Sequence, residues 1–341
     1  MPQYRVVFCG AIDPPRDLLL PVLAEIDAEL AAANPHNGEE FIAAARNADA
    51  VILHGSIPLP EEVLRELPRC RIIARTGVGV DRIDLDAAER LGIQITNAAG
   101  CNAIEVAEQT IGLMFALARK LVRMNTYVHE GRWQRHSREL HAYRGRVRRI
   151  TGQTIGLVGL GHVGRQVAWR AHALGLRVLA TDPYVDAAIA RDHHAELLPL
   201  EALLPQVDFL SLHCPLTDET YRLIGAAELA QMKPSAYLIN CARGPIIDHD
   251  ALYQALVTQK LAGAALDVTD PEPIPIDSPL LKLDNVLVTA HTAANSEESF
   301  ADCQRHAARQ VVLVLSGRPP TTPIAQPWLR RRVIERTFGG V

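Results

Sequence analysis

One segment constrains this chain more than any other. The apolar run Ile155-Gly156-Leu157-Val158 passes straight into Gly159-Leu160-Gly161-His162-Val163-Gly164, and a helical pattern follows through Leu174. A strand that turns on glycine into a helix is the mark of a parallel α/β unit that binds a dinucleotide. The first glycine permits the tight turn, the second lets backbone approach a pyrophosphate, and the third lets helix pack closely on strand. The helix N-terminus adds N–H donors and a favourable dipole. Asp182 ends the next apolar run, about 20 residues further on, where a carboxylate accepts hydrogen bonds from ribose hydroxyls and repels a 2′-phosphate. Thr181, Pro183 and Tyr184 offer no cation against that repulsion, so the pattern predicts a site for NAD rather than NADP, built on Gly159, Gly161, Gly164 and Asp182.

The remainder of the chain repeats the α/β theme. With 341 residues it has material for about two domains. Tyr4 to Cys9, Ala50 to His54, Arg71 to Ala74 and Gly92 to Thr96 read as strands, and Pro60 to Leu67 as a helix. Asp17 to Ala33 has helical spacing and ends at Asn34-Pro35. Cys101 to Glu130 reads as one long helix, and the arginine-rich stretch Arg132 to Arg149 as the passage to a second lobe. There the strands are Gln153 to Gly159, Leu176 to Thr181, Asp208 to His213, Ala236 to Asn240, Ala262 to Val268 and Asn285 to Thr289. Ser296 to Leu315 reads as a final helix. The Pro- and Arg-rich chain after Pro320 is expected on the surface or on a partner subunit. Strands alternating with helices imply crossovers and a parallel sheet, with a cleft between two lobes.

Composition excludes several classes. A net charge of −4 gives no general pull toward nucleic acid or anionic membrane. The apolar run Ile111 to Ala118 is far shorter than the roughly 20 residues of a spanning helix. Met1-Pro2-Gln3-Tyr4-Arg5 has no basic stretch leading into a long apolar one, and the six cysteines stand far apart; both predict a cytoplasmic chain with reduced thiols. The basic run Arg144, Arg146, Arg148 and Arg149 lacks aromatic interleaving and reads as a solvated face. His129, His136, His141, His193 and His194 show no ligand spacing, so no metal site is expected.

Ligands in open α/β sheets sit beyond the carboxyl ends of the strands. Three successive strands deliver polar residues to that edge: Cys241-Ala242-Arg243-Gly244, then Asp267 with Pro271-Glu272-Pro273, then His291. Reducing a 2-keto acid requires hydride from a nicotinamide and a proton for the carbonyl oxygen. Histidine can give and recover that proton near neutral pH. A carboxylate paired with it favours the imidazolium and fixes the ring, and an arginine fork can clamp a substrate carboxylate.

At these residues the sequence resembles the D-isomer-specific 2-hydroxyacid dehydrogenases, over about Ala50 to Pro320. The resemblance rests on Arg75-Thr76-Gly77-Val78-Gly79-Val80-Asp81, Asn102 to Glu108, the glycine turn with Thr181 to Tyr184, Asn240 to Gly244 with Asp248, Ala265 to Val268 with Glu272-Pro273, and His291. It implies an α/β protein of two Rossmann-like lobes, a doubly wound parallel-sheet NAD-binding domain (101–294) inserted in a smaller flavodoxin-like substrate domain (1–100 and 295–341). It implies catalytic roles for Arg243, Glu272 and His291, and a nicotinamide contact for Asp267. His162 and Val163 would lie over the pyrophosphate, with further cofactor contacts at Cys214, Pro215, Cys241, Ala242, Arg243, His291 and Ala294. Arg75, Val78 and Gly79, with Arg243 and His291, would receive the substrate, a 2-hydroxy or 2-keto acid such as 3-phosphoglycerate, hydroxypyruvate or glyoxylate. A homodimer is implied, with the long helix and the arm near Trp133 in the interface.

Two features depart from the family pattern. His54-Gly55-Ser56 stands where the phosphoglycerate branch often has Arg-Ser, and a neutral imidazole there would bind a phosphate less well. Ala290 replaces the usual proline before the histidine, an expected loosening of that turn. The rival reading is an NAD(H)-sensing regulator resembling the C-terminal-binding co-repressors. That branch tends to carry tryptophan where this chain has Ala294, which favours the metabolic enzyme.

Overall fold

The computed structural model describes residues 2–55, 57–133 and 138–324. Ser56, His136 and the arginine-rich tail beyond residue 324 lie outside these. The chain divides into two compact units, Met1–Asn102 with Asn295–Val341, and Ala103–Ala294.

The first unit carries β1 (Tyr4–Cys9), β2 (Ala28–Ala33), β3 (Ala50–Leu53), β4 (Ile72–Arg75) and β5 (Gln94–Thr96) in one sheet of order β2-β1-β3-β4-β5. Every pairing is parallel, and this is the doubly wound order of flavodoxin-like folds. Alternation along β1 sends Val6 and Phe8 to one face and Val7 and Cys9 to the other. The first face is covered by Leu19 and Leu23 and by Ala307, Ala308, Val311 and Val312 of the helix Glu297–Leu315, so a helix late in the chain covers a sheet built from its first hundred residues. Phe41, Leu64 and Ala87 cover the second face. A buried Leu, Val or Phe contributes roughly 1.5–3 kcal/mol, which is why both faces of such a sheet read as continuous apolar runs.

The second unit carries β6 (Thr154–Val158), β7 (Arg177–Thr181), β8 (Ala195–Leu197), β9 (Phe209–Leu212), β10 (Tyr237–Asn240), β11 (Gly263–Leu266) and β12 (Val286–Val288), in the order β12-β11-β10-β9-β6-β7-β8. The sheet is parallel throughout and reverses direction at β6, the switch point where Rossmann folds bind dinucleotides. Ile155 and Leu157 of β6 pack with Val167, Ala168 and Ala171 of the helix His162–Ala173 and with Leu113, Met114 and Leu117 of the helix Ala103–Arg119.

Three expectations are corrected. The segment Asp17 to Ala33 is not one helix. Helical structure stops at Ile26, Asp27 turns left-handed with φ of 49°, and Ala28–Ala33 forms the edge strand β2. Alanine's helix preference, below about 1 kcal/mol per residue, yields there to a six-residue ladder with β1. The helix expected from Cys101 to Glu130 breaks at Lys120, whose φ is 56°, into Ala103–Arg119 and Leu121–His129. The second piece buries Tyr127 against Tyr143, with the Arg132 guanidinium stacked on both rings. Within the expected passage, Arg138–Arg144 is a short helix. The three-residue edge strand β8 has no counterpart among the expected strands.

Candidate active site

The site's residues stand on the loops that leave the carboxyl ends of the second unit's strands. Strand β6 ends at the glycine turn. A Cβ on Gly159 would lie 2.8 Å from the Cys214 backbone N, and one on Gly164 would lie 2.3 Å from the Gly159 carbonyl oxygen. Those two glycines are packing requirements. Gly161 differs, because a Cβ there meets nothing within 4 Å, and Gly161 and His162 are exposed at the start of a 12-residue helix with no side-chain cap. Free N–H groups over open space fit a pyrophosphate. These residues suit NAD.

Asp182 follows β7 and is already engaged. Its Oδ2 accepts from the Leu160 N–H at 2.8 Å and its Oδ1 from the Tyr184 N–H at 2.9 Å. The carboxylate thus ties the end of β7 to the glycine turn. Beyond β9, His213 rests its Nε2 2.9 Å from Ser211 Oγ, while Nδ1 is sealed without a partner; burial holds the imidazole down, to about 3. Cys214 is half-buried, its thiol pushed up by burial to about 12, and Pro215 is exposed.

Asn240 ends β10 and clamps the next turn. Its Oδ1 accepts from the Ala242 N–H at 2.9 Å and its Nδ2 donates to the Arg243 carbonyl at 2.8 Å. Arg243 is half-buried and donates from Nη1 to the Ala242 carbonyl. Gly244 follows because a Cβ there would overlap the Thr269 carbonyl oxygen, at 1.9 Å. Cys241 is half-buried, and burial pushes its thiol up to about 12.

The loops after β11 and β12 meet. His291 Nδ1 lies 2.6 Å from Glu272 Oε1, with the two side chains 47% and 39% exposed. Partial burial works to raise the Glu272 carboxyl, but the His291 hydrogen bond and charge, the Thr269 backbone and the Arg243 guanidinium outweigh it and hold the carboxyl below its usual value. Arg243, Glu272 and His291 therefore belong to one electrostatic cluster. His291 itself is left-handed, with φ of 52°.

Asp267 holds that conformation. Its Oδ1 accepts from the Thr289 hydroxyl and from the Thr292 N–H at 3.0 Å, its Oδ2 from the Ala293 N–H at 2.9 Å, and its carbonyl from the His291 N–H at 2.8 Å. At 1% exposure, Asp267 is occupied by the turn that carries His291. The roles of Asn240 and Thr289 went unread in the sequence; Asn240 ends the buried strand β10 and Thr289 follows the half-buried β12, each a polar residue at a strand end, the one signal available for it.

In the first unit, Arg75 ends β4, is 8% exposed and donates to the Gly55 carbonyl at 2.8 Å. Val78 is exposed and its carbonyl accepts from Asn97 Nδ2 at 2.7 Å; Gly79 is half-buried. His54 contacts Thr76 Oγ1 at 2.9 Å and Gln304 Nε2 at 3.2 Å through Nδ1, and burial together with Arg75 lowers its pKa. Among the described residues no His, Cys, Asp or Glu group could hold a metal ion, and no helix is long and apolar enough to cross a membrane.

Comparison with known proteins bears on this geometry. Residues 111–293 match the family described as D-isomer specific 2-hydroxyacid dehydrogenase, NAD binding domain. The chain is 37% identical to the glyoxylate reductase of Korarchaeum cryptofilum over 87% of its own length and 89% of that protein. It is 36% identical to the D-3-phosphoglycerate dehydrogenase of Methanocaldococcus jannaschii over 92% of its own length, but spans 59% of that relative. The holo D-mandelate dehydrogenase of Rhodotorula graminis superposes with a TM-score of 0.86 at 27% identity, over 96% of this chain and 99% of that one. The chain belongs to the D-isomer specific 2-hydroxyacid dehydrogenase family, and its second unit carries that family's NAD-binding domain.

Proposed function

We propose that this protein is an NAD-dependent oxidoreductase that interconverts a D-2-hydroxy acid and its 2-keto acid. The observation that carries the reading is the 2.6 Å His291–Glu272 pair with Arg243 beside it, at the strand ends of a dinucleotide-binding sheet. Bound at the glycine turn, NAD(H) supplies or accepts the hydride. In reduction, His291 gives a proton to the carbonyl oxygen of the keto acid, and in oxidation it takes the proton back. Glu272 orients the ring through Nδ1, which leaves Nε2 as the nitrogen that exchanges the proton. Arg243 binds the substrate carboxylate and polarises the carbonyl. In the first unit, Arg75, Val78 and Gly79 take substrate-binding roles, and Asn97 Nδ2 steadies the Val78 carbonyl at 2.7 Å.

Among substrates, glyoxylate and hydroxypyruvate fit better than 3-phosphoglycerate, because burial and Arg75 lower the His54 pKa and so disfavour an imidazolium that would bind a phosphate. The protein works in the cytoplasm, in keeping with its six free cysteines. It acts as a homodimer whose interface draws on the exposed Ile104, Leu121, Val122 and Trp133. The relatives are named dehydrogenases and reductases, so the regulatory alternative gains no support.

The test is steady-state oxidation of NADH with glyoxylate, hydroxypyruvate and phosphohydroxypyruvate, with light scattering for the assembly. Sustained turnover on at least one keto acid is expected. Tight NADH binding without turnover on any of them would overturn the reading.

A further inference from the structure

A second cluster of reactive side chains lies apart from the strand-end loops, in the first unit. Cys101 closes the turn after β5, where its N–H donates to the Ala98 carbonyl at 3.1 Å, and its side chain is partly exposed. Its sulfur hydrogen-bonds both the Cys303 thiol and the His306 imidazole. Cys303 and His306 stand three apart on the helix Glu297–Leu315, so one face of that helix presents both to the same sulfur. Cys303 is buried, at 7% exposure.

The imidazole is set to be a donor. Thr322 gives its hydroxyl proton to the Asn97 carbonyl at 2.8 Å, so the His306 Nε2, 2.9 Å from Thr322 Oγ1, must donate to it. A ring that also hydrogen-bonds Cys101 is favoured as the imidazolium, and the His306 pKa is raised by that sulfur. Among the cysteines, burial pushes Cys9, Cys70, Cys214 and Cys241 up to about 12, whereas the thiol and imidazole beside Cys101 bring it down to about 5. The three groups do not amount to a metal site, since no such group among the described residues could hold an ion.

We propose that Cys101 and Cys303 form a peroxide-sensitive thiol pair in which Cys101 is the attacking sulfur, Cys303 the resolving one and His306 the hydrogen-bonding partner that activates Cys101. The oxidant is a hydroperoxide. The Cys101 thiolate attacks one peroxide oxygen; an S–O bond forms, the O–O bond breaks, and hydroxide or alkoxide leaves and takes up a proton. Cys101 is then a sulfenic acid, two electrons oxidised. The Cys303 sulfur, already in contact, attacks the Cys101 sulfur, so that the S–S bond forms, the S–O bond breaks and water leaves with the Cys303 proton. Thiols of dithiothreitol or of a thioredoxin-type reductant restore the pair. Partial exposure of Cys101 admits a small peroxide, while burial of Cys303 keeps larger oxidants from it. Both cysteines lie close in sequence to the two points where the chain passes between units, after Asn102 and before Asn295.

The test treats the full-length reduced protein with hydrogen peroxide and maps its peptides by mass spectrometry. A peptide joining Cys101 to Cys303, two hydrogens lighter than the reduced pair and released by dithiothreitol, is expected before any change at Cys9, Cys70, Cys214 or Cys241. In Cys303→Ser the sulfenic acid should persist at Cys101 and be trapped by dimedone. Iodoacetamide labelling of Cys101 should vary less than about twofold between roughly pH 6.5 and 8.5, and in His306→Gln it should fall roughly tenfold per pH unit below about 8.5. Circular dichroism checks that both variants fold. Cys101 remaining reduced while other cysteines oxidise, or a His306→Gln labelling profile identical to that of the native chain, would overturn the proposal.

Discussion

The Nδ1 of His291 lies 2.6 Å from Oε1 of Glu272, although 19 residues and the whole of β12 separate them in the chain. Against partial burial, that ring, the Thr269 backbone and Arg243 together hold the carboxyl below its usual value. His291→Ala should lower kcat for keto-acid reduction by about a hundredfold or more while leaving the NADH Kd within a few-fold. Glu272→Gln should lower kcat by about tenfold or more by freeing the ring. Stopped-flow turnover and fluorescence titration of NADH check both, and an unchanged kcat in His291→Ala removes His291 from the chemistry.

Asp267 is a positioning residue. Asp267→Ala strips an acceptor from the Thr289 hydroxyl and from the Thr292 and Ala293 N–H groups, and leaving such donors unsatisfied costs about 1–3 kcal/mol each. Urea unfolding should show a loss of a few kcal/mol and the assay a fall in kcat. Asp267→Asn, which keeps one acceptor oxygen, should lose less of both.

The glycine turn separates packing from binding. Gly161→Ala places a methyl in open space at φ of −75°, so stability should change by less than about 1 kcal/mol while NADH affinity falls at least roughly tenfold. Gly164→Ala drives a methyl into the Gly159 carbonyl and should cost more than about 2 kcal/mol. Equal effects on stability and binding in the two variants would contradict this division.

Asp182→Ala removes the carboxylate that would repel a 2′-phosphate. The NADH Kd should rise and the NADPH Kd fall, so that their ratio narrows by about tenfold or more. The lost acceptor for the Leu160 N–H should also loosen the turn, visible as a lower Tm.

His213 gives stability a defined pH dependence. Folded, its imidazole stays neutral down to about 3, whereas the unfolded chain takes up the proton near the ordinary histidine value. The unfolded state then binds more protons, so the contribution is complete above about pH 6.5 and declines as pH falls toward 3. Because part of the residue reaches solvent, the decline is less than full burial would give, on the order of 1–3 kcal/mol. Urea midpoints between pH 7.5 and 5 should drop less steeply in His213→Gln than in the native chain.

Much of this was legible in the sequence because buried parallel strands advertise themselves. Ile155 to Val158, Phe209 to Leu212 and Tyr237 to Asn240 are apolar on both faces, and the polar residues after them mark the loops. The meeting of Glu272 with His291 followed from both lying beyond strand ends. Edge strands carry less signal. Ala28–Ala33 reads as helix because its ladder with β1 is a long-range fact, and Ala195–Leu197 is too short to show a period. Lys120 carries no glycine or proline to announce its turn. The resemblance implies a cofactor contact for Asp267, and the folded loop adds that its oxygens accept from the Thr289 hydroxyl and the Thr292 and Ala293 N–H groups.

The tether between β11 and the His291 turn has a mechanical consequence. Strand β12 is three half-buried residues at the sheet's margin, a segment prone to fraying. His291 follows β12 in the chain yet takes its coordinates from Asp267, on the strand one row further inside, and Thr289 docks on the Leu266 carbonyl. Breathing of the outermost strand is thereby decoupled from the His291 ring, and loop lengths ahead of β12 can vary without moving the imidazole.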